Sequence, residues 1–115
     1  MKTPTCLMTL VVIAGCASDP LPTEQLRLTE AALSQARSVG ASAQTPELAM
    51  AEQKLQAARA ALDDDDNRAA RLYAEQAELD ARLAEARVLN DKSALQVIEL
   101  SRRIARLREQ LGEVQ

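Results

Sequence analysis

Residues 46–87 read PELAMAEQKLQAARAALDDDDNRAARLYAEQAELDARLAEAR, two runs of strong helix formers on either side of four consecutive aspartates. In the first run Leu48, Ala51, Leu55, Ala58 and Leu62 recur at spacings of three and four, which is one stripe on a helix. Thr45, Pro46 and Glu47 read as an N-cap, a proline at the first helical position and an acid in the first turn. Asp63-Asp64-Asp65-Asp66 closes this helix, and Asp66 is placed to cap the next. In the second run Ala70, Ala74, Ala77, Ala81 and Ala84 share a face, and side chains that small let two helix axes approach closely. Tyr73 should pack at this hairpin with its hydroxyl exposed.

Upstream, a further helix should run from near Thr23, itself the expected N-cap, to about Gly40. Its apolar positions are Leu26, Leu28, Ala31, Ala32, Leu33, Ala36 and Val39. Downstream there is no proline after Pro46 and no glycine between Gly40 and Gly112, so one helix should continue from Asn67 to about Val114. Such a helix is about 70 Å long, whereas helix two spans only about 25 Å. The shorter helices therefore cover only its first part, roughly to Val88. The chain is expected to be all-α, a helical hairpin plus a long C-terminal coiled-coil helix, about three helices with no sheet.

The uncovered end carries the strongest periodicity. Val97, Leu100, Ile104, Leu107, Leu111 and Val114 are spaced three, four, three, four, three, a heptad seam with β-branched Val97 and Ile104 at a and Leu100 and Leu107 at d. Extended backwards, the register meets Ser93, Asn90, Ala86, Leu83, Leu79, Gln76 and Leu72. The Ile/Val and Leu arrangement favours a parallel dimer, but Arg103 on one chain would then face Arg108 on the other. That like-charge pair points instead to a partner helix with acidic flanks or a different strand order. The seam is expected to bind a partner helix, in a homo-oligomer or on another envelope protein. The competing reading is that the terminal helix folds back on helix one.

Little catalytic chemistry is available. The chain has 14 basic and 17 acidic side chains, no His, no Trp and no Phe. Without histidine no Ser–His or Cys–His pair can be built, and zinc loses its usual nitrogen ligand. An acidic chain lacks the basic footprint of a nucleic-acid binder. The four aspartates lack the alternating ligands, central glycine and distant glutamate of an EF-hand, and read as a solvated turn. The expectation is a protein that is not an enzyme, with no cofactor, no metal, no nucleic acid and no small-molecule substrate.

The N-terminus carries a targeting signal. Leu7 to Ala14, interrupted only by Thr9, follows Lys2 and is too short to span a bilayer. It ends in Ile13-Ala14-Gly15-Cys16, which resembles the lipobox of bacterial lipoproteins. The resemblance implies cleavage between Gly15 and Cys16, lipidation of Cys16, and a mature chain fixed to a membrane by its first residue. The bland alternative is an ordinary signal peptide cut elsewhere. Ala17 is not the aspartate that holds many lipoproteins in the inner membrane, so outer-membrane sorting toward the periplasm is implied. The expected organisation is a signal peptide over 1–15, a lipidated extended tether over 16–22, an Ala/Leu-rich hairpin region over 23–90 and a coiled-coil extension over 91–115.

Glu47-Leu48-Ala49, Lys54-Leu55, Ala60-Ala61-Leu62, Asp66, Ala70-Arg71, Ala74-Glu75-Gln76-Ala77, Asp80-Ala81 and Leu83 to Arg87 together resemble the domain-of-unknown-function 4398 family. That family consists of proteobacterial envelope proteins, often lipoproteins, some with an added peptidoglycan-binding domain. The family commonly has an aromatic after the turn aspartate and a leucine before the Ala-Glu-Gln-Ala run, where this chain has Asn67 and Tyr73. The resemblance implies fold and location rather than mechanism. The hairpin also looks like a single tetratricopeptide-type unit, fewer than the three or so that make a stable stack.

Two functions are therefore expected. The favoured one is a membrane-anchored structural or adaptor lipoprotein whose coiled coil projects toward a partner. The alternative is a binding or chaperone-like module using the hairpin groove. Substitution at Ile104 and Leu107 should abolish the adaptor, whereas enlarging Ala77 or Ala81 should damage only the groove.

Overall fold

The computed structural model describes residues 19–113. It contains three helices, α1 (Thr23–Ser38), α2 (Pro46–Asp63) and α3 (Asn67–Glu113), and no strand among the described residues. Cross-helix pairs set their directions. Thr29 meets Ala74 and Gln35 meets Glu85, so α1 runs parallel to α3. Lys54 pairs with Asp80 and Glu47 with Arg87, so α2 runs antiparallel to it.

The helix ends follow from the local sequence. Both α1 and α2 stop in Schellman motifs. After α1 the Ala41 N–H donates to the Ala36 carbonyl at 2.9 Å and the Gly40 N–H to that of Arg37 at 2.9 Å. Gly40 sits at φ +107, a conformation that glycine adopts without a Cβ clash. After α2 the matching bonds run from Asp66 to Ala61 at 2.8 Å and from Asp65 to Leu62 at 3.0 Å. Here the left-handed residue is Asp65, at φ 59. Aspartate tolerates this region better than most side chains. Asp66 then caps α3, its Oδ1 accepting the Ala69 N–H at 2.9 Å. The four-aspartate turn is thus a helix stop followed by a helix start.

One expected cap is displaced, and another sits in place while its hydroxyl bonds elsewhere. Thr23 is the first residue of α1, and the N-cap is Pro22, with no side-chain cap bond. The buried Pro22 supplies a backbone carbonyl, which accepts the Leu26 N–H at 3.0 Å. Thr45 does occupy the N-cap of α2, but its hydroxyl caps nothing there. It accepts the Ser42 N–H at 3.1 Å and closes the connecting loop instead.

The core lies along one face of α3. Ala70, Ala74, Ala77, Ala81 and Ala84 are all completely buried, as are Ala51 and Ala58 on α2 and Ala36 on α1. Leu33, Leu48 and Leu55 fill the space between the helices. Ala77 and Ala81 are therefore core residues and line no groove, so enlarging either strains the whole bundle.

Thr29 is a core residue that hydrophobic patterning passes over. It is fully buried, and its hydroxyl lies 2.9 Å from both the Gln25 and Ala74 carbonyl oxygens, one proton shared between them. Only the second contact joins α1 to α3.

Candidate interaction surface

Cover on α3 ends where the short helices end. Val88 is half-buried against the core cluster. One turn further, the Lys92 ammonium donates to the Val39 carbonyl at 2.5 Å. A cation at the C-terminus of α1 satisfies an orphan carbonyl and complements the helix dipole. Past this point α1 and α2 offer nothing more, and α3 continues for about 30 Å on its own.

The seam expected from sequence lies on this free segment. Val97 is 64% exposed, Leu100 59%, Ile104 42%, Leu107 57% and Leu111 70%. The helix is uninterrupted through Glu113, so the terminal segment does not fold back on α1. Val114 lies outside the described residues, as do Gly15 and Cys16. Arg103 donates to Glu99 at 2.9 Å, with Arg106 3.6 Å from the same carboxylate.

The backward extension of the seam is also exposed. Leu72 is 53%, Leu79 66% and Leu83 55% exposed, and Asn90 and Ser93 face solvent. These positions lie across the helix from the alanines. The larger apolar side chains of α3 are thus outside and the smallest ones inside. Large apolar side chains left exposed along one line, broken by Asn90 and Ser93, make this face the candidate interaction surface.

The rest of the surface offers less. Between α1 and α2 a shallow groove is floored by Leu33 and Leu55. Two ion pairs bridge it, Arg37 to Glu52 and Arg59 to Glu30, each 2.7 Å. The Glu47 carboxyl is held below the usual range by its own backbone N–H first and by Arg87 second. Arg27 holds that of Glu24 low in the same way, chiefly by hydrogen bonding. Tyr73, partly exposed, lies beside Met50, Lys54 and Ala57 across the α2–α3 packing. Among the described residues no group of three or more Cys, Asp or Glu is arranged to hold a metal ion. None of the helices there is long and apolar enough to cross a membrane.

An all-α chain with an alanine-packed three-helix body and a bare helical extension is a fold class that comparison with known proteins can test. The model of the family described as "Domain of unknown function (DUF4398)" matches residues 24–110, and the chain belongs to that family. It is also similar to a DUF4398 family protein from Pseudomonas aeruginosa PAO1 whose crystal structure was solved at 2.47 Å resolution. The two share 53% sequence identity with a TM-score of 0.80, over 84% of this chain and 100% of that one. No curated protein matches the sequence.

Proposed function

We propose that this protein is a non-enzymatic, membrane-anchored envelope lipoprotein that acts as a structural or adaptor helical module in the periplasm. The observation that carries the reading is the free end of α3, an exposed apolar seam held away from the bundle. The direction of the chain supports it. The Asp19 carbonyl accepts the Asn67 side-chain N–H at 2.8 Å, so the chain enters at the base of α3. Cys16 stands three residues before that point, and the seam runs toward the opposite end. Lipid at the base would leave the seam directed away from the membrane, toward a helical partner or another copy.

The test uses the full chain expressed in a Gram-negative bacterium. Wild type should take up labelled palmitate and sediment with the outer membrane, and Cys16→Ser should lose both properties. A wild-type chain that takes up no palmitate, or that fractionates with soluble contents, would sink the reading.

A further inference from the structure

We infer that a second copy of this chain covers the seam, parallel and in register, forming a two-stranded coiled coil with one bundle on each outer side. The inference rests on reading the seam as an interaction surface and is independent of the lipid anchor.

The first argument is area. Leu72, Leu79, Leu83, Val97, Leu100, Ile104, Leu107 and Leu111 are each more than two-fifths exposed along one line of α3. Eight such side chains offer on the order of the ~800 Å² per partner found in stable interfaces. The line runs for about 60 Å, with a period of 3.5 residues that suits a left-handed supercoil.

The second argument is self-matching. In register, Gln76, Asn90 and Ser93 each meet the same residue of the second copy, so all three polar layers find polar partners. A single buried asparagine at an a position specifies register and two strands. Val97 and Ile104 at a, with Leu100 and Leu107 at d, favour the same parallel pair.

Charge raises the objection, and the structure meets it. In the parallel register the charged flanking pairs are Glu75 with the second copy's Asp80, Arg82 with its Arg87, and Arg103 with its Arg108. Each has like signs. However, Arg82 is 2.5 Å from Glu78, Arg103 is 2.9 Å from Glu99, and Asp80 is 2.6 Å from Lys54. Arg87 is paired with Glu47. Every like-charge pair therefore contains at least one member with an ion-pair partner in its own chain, Glu99 serving both Arg103 and Arg106.

Geometry supplies the last argument. The buried alanines occupy the b and f positions of this heptad, so α1 and α2 sit on the outside of the pair and leave the seam free. Parallel pairing also places both chain entries, each tied at Asn67, at one end.

The experiment uses the chain from Asp19 onward, which removes Cys6 and Cys16 and leaves no other thiol. The crystallised relative, matched over its whole length, shows that a body of this kind folds on its own. Sedimentation equilibrium should give twice the chain mass, falling to one chain mass in Ile104→Asp, Leu107→Asp, whose urea midpoint should match that of wild type diluted until monomeric. Under mild oxidation Leu111→Cys should cross-link to itself. A chain that stays monomeric at millimolar concentration would overturn the inference while leaving palmitate uptake, and thus the lipoprotein reading, intact. Cross-linking only on mixing Leu72→Cys with Leu111→Cys chains would overturn it too, because those positions meet in an antiparallel pair.

Discussion

Residues 67–92 and 93–113 belong to one unbroken helix, yet the two segments live in different environments. The first has a face of completely buried alanines, while nearly every residue of the second is exposed. The difference is not one of hydrophobicity, since both segments carry large exposed leucines, Leu72, Leu79 and Leu83 in the first and Leu100, Leu107 and Leu111 in the second. It comes from partner length. Helix α2 has 18 residues and α1 has 16, and they end where Lys92 reaches Val39. The comparison teaches that residue size selects the inner face when helices pack closely, and that large leucines left outside are available for another chain.

Substitutions should separate the two segments in order of effect. Leu48→Ala removes a side chain only 2% exposed between the helices, and should cost the bundle about 2–5 kcal/mol in urea unfolding. Ala77→Leu crowds the closest packing and should cost about 1–3 kcal/mol by the same measurement. A value near zero would mean that the alanine face is not tightly packed. Asp66→Ala deletes the α3 cap and should cost about 1 kcal/mol. Ending the chain at Lys92 should leave the urea midpoint within about 0.5 kcal/mol of the whole chain's, both measured dilute enough to be monomeric. A large loss there would show that the free segment supports the bundle.

Acid offers a further distinction. Glu47 and Glu24 have carboxyls held below their ordinary values, the first by its own backbone N–H and Arg87, the second by Arg27. A carboxyl depressed on folding contributes stability that is present above its unfolded value and lost as pH falls through the folded one. Thermal stability of the bundle should therefore decline as pH drops below about 4.3. Glu47→Gln should flatten that decline. An equally steep decline in this variant would place the acid sensitivity elsewhere.

Much of this was legible in one sequence because helices repeat. Leu48, Ala51, Leu55 and Ala58 announced the inner face of α2, and all are buried. Asp66, Gly40 and the seam from Val97 to Leu111 were equally readable, since caps, left-handed glycines and heptads are local patterns. Thr29 was not readable. A threonine on a helix gives no local sign that its hydroxyl will meet a carbonyl of a helix 45 residues away. Thr23 misled by one position, because the N-cap of α1 is Pro22. Thr45 holds the N-cap of α2 as read, and its hydroxyl closes the preceding loop instead.

The sequence by itself determined that the chain is helical, where each helix starts and stops, and that an apolar heptad outruns its neighbours. These follow from propensity, capping and period, each read within a few residues. Only the tertiary structure decided how α1 runs against α3, that Thr29 joins the core, and that Arg87 beside the seam already has a partner in Glu47. Those outcomes depend on distances between segments far apart in the chain, and no local pattern encodes them.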